Sequence, residues 1–271
     1  MSGAGWQRRD FVKLLLAGGL GYGPAAKAQF RPTGGLMMIP ERPTFFFTQI
    51  VYGQGMQWNP HPTAVQSFLQ TLTQRTSVAA GPERVDVALG SDRLFYSPFL
   101  FLSGARDFPP WPESDLECLR RFLDFGGFLL ADDALGESGS GFDQSFQREF
   151  SRLYPGETLQ KLPPDHTVYQ TYYLIDPARR GVVGRKATRP FLSGLDREGR
   201  TALVYSQNDL AGAWAKDSFG RFLHQVEPGG ERQREMAFRL GVNLVLYALT
   251  VDYKKDLIHV PFIEERRRRK L

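Results

Sequence analysis

Residues 119–133 read LRRFLDFGGFLLADD, and a change of pattern inside that stretch decides the fold. Up to Asp124 the apolar residues keep helical spacing: Leu116, Leu119, Phe122 and Leu123 form one stripe, with Cys118 beside them. Glu113 and Asp115 occupy the positive end of this helix dipole, Arg120 and Arg121 lie nearer its negative end, and Gly126 supplies a left-handed stop. From Phe128 the pattern becomes a continuous apolar run, which is how a strand covered on both faces reads. The glycines therefore end a helix and turn the chain into a buried strand, and Asp132-Asp133 stand where that strand stops.

The same grammar extends outward. PTFFFTQIVYG (43–53) reads as a first strand, and Thr63 caps a helix built on Val65, Phe68, Leu69 and Leu72. RVDVALG alternates Val85, Val87 and Leu89, and SPFLFLSG is another buried strand, bounded by Pro98 and Gly104. Downstream, Phe142, Phe146, Phe150 and Leu153 mark a helix ended by Pro155, TALVYSQNDL is a last buried strand, and ERQREMAFRLGVNLVLYALT is a long helix with Met236, Leu240, Asn243, Leu244 and Tyr247 near one face. Residues 157–200 break the grammar, and Pro163, Pro164, His166 and the run VYQTYYL point to an irregular insertion or edge strands. Strands alternating with helices, the strands apolar throughout, predict an α/β fold: three layers, a mainly parallel sheet between helices, in a single domain over 44–255.

With 271 residues, 42% of them hydrophobic, the chain can bury a full core. Its net charge of +5 is unevenly placed. Arg8, Arg9, Lys13 and Lys27 outweigh Asp10 at the front, Arg266 to Lys270 form a basic run at the back, and the body between them is slightly acidic. That distribution excludes the basic folded face of a nucleic-acid binder. Residues 1–28 have the layout of a cleavable export signal, and Arg8-Arg9-Asp10-Phe11-Val12-Lys13 resembles the twin-arginine consensus, with Gln7 and Val12 as departures. The apolar part is interrupted by Gly18, Gly19, Gly21 and Gly23 and falls short of the ~20 residues of a comfortable span, so no permanent transmembrane helix is expected once the signal is cleaved. These features predict a periplasmic protein exported by the twin-arginine route, with a linker over 29–43 and a basic tail over 256–271. The single cysteine, Cys118, allows neither an internal disulfide nor a zinc cluster.

In an open parallel sheet, ligands bind beyond the carboxyl ends of the strands. The residues expected at those ends are Tyr52-Gly53, Ser103-Gly104, Asp132-Asp133 and Ser206-Gln207-Asn208-Asp209, all on one edge. Aspartate and asparagine after strands also serve as turn and cap residues, so each has a structural reading beside the functional one. Two adjacent carboxylates repel each other, and one can face the cleft while the other caps the turn. His166 joins them if the insertion folds over that edge; a hydrogen-bonded or exposed structural histidine is the plainer expectation. No spaced His or Cys pattern supports a metal, Gly136-Glu137-Ser138-Gly139-Ser140 misses the hydrolase elbow at its last position, and no phosphate-cradling glycine loop links a strand to a helix, so no cofactor is expected.

Taken in order, TQIVYGQGMQW, RTSV, LFYSPFLFLSG, LRRFLDFGGFLLADD, LPPDHTVYQTYY, SQNDLAGAW and LGVNLVLYALT resemble the bacterial family called domain of unknown function 4159. The resemblance implies a class I glutamine-amidotransferase-like, flavodoxin-like arrangement and an envelope setting, but no reaction. Amidotransferases place a nucleophilic cysteine on the turn after the strand equivalent to GGFLLADD, where this chain has Asp132-Asp133, while Cys118 lies upstream in a helix.

The resulting expectation is a non-catalytic domain binding an envelope protein or glycan, with Tyr52, Trp58, Ser103, Gly104, Asn208, Asp209 and Trp214 as ligand-binding candidates. The alternative is a hydrolase of envelope carbohydrate or amide bonds, with Asp132 or Asp133 as general base and His166 as acid or orienting group.

Overall fold

The computed structural model describes residues 45–268 apart from 54, 140 and 178–181, with side chains described to residue 250. The signal segment 1–28 and the linker 29–43 lie outside the described residues. Of the tail, only backbone as far as Arg268 is described, as the continuation of the last helix.

The strands are β1 (Thr48–Val51), β2 (Val85–Ala88), β3 (Phe99–Gly104), β4 (Phe128–Asp133), β5 (Gln160–Lys161), β6 (Ser193–Arg197) and β7 (Arg200–Ser206). They form one seven-stranded sheet in the order β2-β1-β3-β4-β7-β6-β5. From β2 to β7 all neighbours pair in parallel, whereas β6 runs antiparallel to β7 and β5 antiparallel to β6. The unreadable stretch 157–200 thus contributes the antiparallel margin. The edge strand β5 is two exposed residues and its neighbour β6 buries only Gly194 and Leu195, so neither carries a buried run of the kind that marks a strand in the sequence.

Helices α1 (Ala64–Arg75), α2 (Glu113–Asp124), α3 (Gly141–Leu153), α4 (Leu210–Trp214) and α5 (Gly230–Arg268) cover the sheet. On one face α1, α4 and α5 pack on Phe47, Phe99, Phe101, Leu130 and Val204; on the other α2 and α3 pack on Ile50, Leu100, Leu102, Leu129 and Leu203. The strand residues alternate between the two cores, as successive side chains of a strand must. This is the predicted three-layer α/β architecture with a mainly parallel sheet.

Local signals act as read, with one exception. Gly126 takes φ 102° just after α2, a conformation that costs a residue with a Cβ dearly, and Gly127 N–H closes the turn onto Phe122 O at 2.8 Å. Thr63 does precede α1, but its side chain makes no capping hydrogen bond; the backbone amide of Ala64 instead bonds His61 O at 3.1 Å. Cys118 is buried, its thiol pKa raised chiefly by burial and its Sγ set against Ser91 O at 3.7 Å, so it packs rather than reacts. Asn243, on the inner face of α5, accepts from the amides of Tyr172 and Tyr173 and donates to Tyr173 O, clamping the aromatic run of the insertion onto the helix. Among the described residues no helix is long and apolar enough to cross a membrane.

Candidate functional site

The tips of β1, β3, β4 and β7 do meet along one edge: Ser103 is in register with Asp132, Gly104 with Asp133, and Asp132 with Ser206. Almost every side chain there is sealed.

Asp132 and Asp133 are both 0% exposed, and being adjacent on a strand they point to opposite faces. On the α4 side, Asp132 accepts the amides of Leu210 and Ala211, each at 2.9 Å, and so caps the start of α4. Burial, with the nearby Asp209 charge adding to it, pushes its pKa up to about 7. On the other side, Asp133 Oδ1 accepts the Leu135 amide at 2.9 Å in its own turn, while Oδ2 has no partner. Its pKa rises to about 6 through burial, the turn amides opposing the rise. The two carboxylates therefore serve two separate turns and cannot jointly act on one substrate atom.

The topological switch point, where ligands enter doubly wound sheets, lies between β1 and β3 because connections leave these neighbours in opposite directions. Here it is plugged. The Tyr52 hydroxyl crosses the gap and donates to Ser103 O at 2.9 Å, and its ring packs on Phe108, Trp111 and Phe142 at centroid separations of 4.7, 6.0 and 6.4 Å. Gly104 is required beneath it, because a Cβ at that position would overlap the Tyr52 hydroxyl and the Phe142 ring. Burial, with Asp133 adding, raises the Tyr52 pKa far above its usual range. Ser103 is buried with its Oγ unpartnered, so neither Ser103 nor Gly104 faces a cleft.

Two of the other candidates are core residues. Trp214 is fully buried, stacked on Phe68 at 4.4 Å with its indole N–H given to Ala237 O. Trp58 is nearly so, donating to Gly55 O and covered by the Arg84 guanidinium at 5.2 Å from its ring. His166 stands at the far edge. Its Nε2 meets Thr201 Oγ1 at 2.9 Å, at the amino end of β7, whereas Asp132 is level with Ser206 at the carboxyl end. Five residues of strand, roughly 16 Å, separate those levels. The acid–base group of Asp132, Asp133 and His166 is not assembled.

What does assemble is at the junction of β7 and α4. Asn208 is a clamp: its Oδ1 accepts the Arg189 amide at 2.8 Å and its Nδ2 donates to Val182 O and Arg189 O. Asp209 adopts the left-handed region at φ 54°, uncommon for a residue with a side chain, and is 0% exposed. Its carboxylate caps Gly212 N at 3.0 Å, pairs with the Arg185 guanidinium, and accepts from His61 Nε2 at 2.8 Å. His61 Nδ1 in turn lies 3.2 Å from His224 Nε2. His224 lines an open cleft of about 440 Å³ with Phe222, Leu223, Gln225, Glu227 and Arg234.

A family profile described as Domain of unknown function (DUF4159) matches residues 46–249, most of the chain. The chain belongs to that family. No curated protein sequence matches it. Within this DUF4159 domain the match takes in every residue of the junction just described.

His61 and His224 were not singled out in the sequence. His61 carries a positional signal, since it lies in the loop after β1 on the same carboxyl edge, though ten residues beyond the end of the strand. His224 has no local signal: it sits between α4 and α5, and only the fold carries it to His61. Among the described residues no cluster of three or more His, Cys, Asp or Glu has the disposition of a metal site.

Proposed function

We propose that this DUF4159 protein is exported to the cell envelope by its twin-arginine-type signal and acts there as a non-catalytic ligand- or partner-binding domain. One observation carries the non-catalytic part: Asp132 and Asp133, where the resemblance to amidotransferase-like folds would put a nucleophile, are buried back to back, each used by a separate set of backbone amides. A sealed catalytic position beside an open cleft suits recognition better than turnover.

The test is a thermal-shift screen of the full chain against soluble cell-wall fragments and divalent cations, run with an envelope pull-down. Stabilisation by a fragment, or recovery of a discrete envelope partner, is the expected result; neither, in a cell where the Arg8→Lys, Arg9→Lys double variant and the wild type fractionate alike in the cytoplasm, would sink the reading. The hydrolase alternative would have to run through Asp209, His61 and His224, and predicts release of soluble products from the same cell-wall material.

A further inference from the structure

The 3.2 Å contact between His61 Nδ1 and His224 Nε2 joins the β1–α1 loop to the loop between α4 and α5. A ring nitrogen either carries a proton or offers a lone pair, so two facing nitrogens bond only while one of them is bare. The rule holds whichever ring donates. Two neutral rings can keep the contact, and so can one imidazolium beside one imidazole, but two imidazolium rings set N–H against N–H and lose it. The pair tolerates one added proton and breaks at the second.

The groups around the pair make that second charge harder to hold. Asp209, at the β7–α4 junction, meets His61 Nε2 at 2.8 Å, but its carboxylate is also shared with the Arg185 guanidinium and the Gly212 amide. Arg185, from the loop before β6, and Arg234, from α5, bring positive charge towards His224, and Glu231 on α5 is paired with Arg234. Glu227, on the same loop as His224, is exposed on the rim of the cleft. Asp132, at the end of β4, acts on His61, yet with a pKa of about 7 it becomes neutral over the range in which an ordinary histidine gains charge. Acidification therefore removes negative charge from this cluster while adding positive charge to it. Burial, with His61, Arg185 and Arg234 acting the same way and Asp209 against them, holds the His224 pKa below the usual histidine value.

We propose that His61 and His224 form an acid-sensitive clasp, which holds the loop between α4 and α5 against the β1–α1 loop at neutral pH and lets go when both rings are protonated.

The held loop is an exposed one. Its first part is a hairpin, closed by the Asp217 amide on Arg221 O at 2.8 Å and the Leu223 amide on Ala215 O at 3.0 Å, with Phe219 82% exposed at the tip. His224 follows directly and also lines the cleft. Arg234 keeps its bond to His224 O, and the Glu227 amide its bond to Arg185 O, so release loosens the hairpin and the cleft wall without detaching the loop. The clasp goes beyond the ligand-binding reading and operates whether or not the cleft is filled.

The experiment is hydrogen exchange of the full chain at pH 7.5 and pH 4.5, read by mass spectrometry and corrected for the intrinsic pH dependence of exchange. Peptides covering 56–61 and 221–226 should lose protection about fivefold or more at the lower pH, while β3 and β4 keep theirs. An amide both donates and accepts without titrating, so His224→Gln should protect both loops equally at the two pH values. His224→Phe should leave them poorly protected at both. Wild-type loops equally protected at both pH values would overturn the clasp, and so would an acid-induced loss that persists in His224→Gln or His224→Phe.

Discussion

The switch point between β1 and β3 and the junction of β7 with α4 lie on the same edge of the same sheet, yet one is filled and the other opens outward. At the first, the loop after β3 brings Phe108 and Trp111 over Tyr52, and the crevice that parallel sheets normally offer to ligands becomes core. At the second, three separate loops bring Arg185, His61 and His224 around Asp209, and the last of these reaches a cleft. Topology decides where a recess can form. What the loops carry decides whether it exists.

The contrast can be broken most severely at its closed end. Gly104→Val places a branched side chain where the Tyr52 hydroxyl and Phe142 already stand, and a loss of about 3 kcal/mol is expected in urea unfolding, near the upper end for overpacking. Next comes Asn208→Ala, which strands the Arg189 amide and two carbonyls in a buried setting; about 2 kcal/mol is expected, with hydrogen exchange accelerated at Arg189 and little changed in β3. Tyr52→Phe keeps the plug's ring and removes one hydrogen bond to Ser103 O, so about 1 kcal/mol is expected, with no new ligand binding.

A fourth effect is one of pH, read as a slope rather than at a single condition. Asp132 and Asp133 have folded pKa values of about 7 and about 6, above the 3.8 of a free aspartate, so the folded protein holds more protons than the unfolded chain in between. Their contribution is fully present below about pH 4 and is lost as pH rises towards 7. His224 works against them: its lowered pKa means the unfolded chain binds the extra proton, so its contribution is lost as pH falls below about 6.5. Melting temperature measured against pH should flatten between 4 and 7 in Asp132→Asn and steepen in His224→Phe, relative to the wild type; an Asp132→Asn profile parallel to wild type would count against the raised pKa.

The parts legible in the sequence were those whose signal is local. The helix ending at Asp124, its glycine stop and the buried run into Asp132 all follow from side chains within a few residues of one another. The edge convergence was legible as well, since it follows from parallel pairing. Closure was not. Whether Tyr52 is a ligand face or a plug depends on Phe108 and Phe142, which lie 56 and 90 positions further on. His166 is the hydrogen-bonded structural histidine of the plainer expectation, but its partners, Thr201 and Tyr247, come from the amino end of β7 and from α5, which its polar, proline-rich neighbours in sequence do not indicate.

The plug at Tyr52 has one more consequence. An aromatic ring wedged among Phe108, Trp111 and Phe142 is a mould: truncating it to alanine would leave a vacancy the outline of a phenol, walled by those rings and with the Ser103 carbonyl waiting where the hydroxyl stood. Free phenol added in solution would then stand in for the missing side chain, making this protein's stability answer to a soluble molecule it was never built to notice.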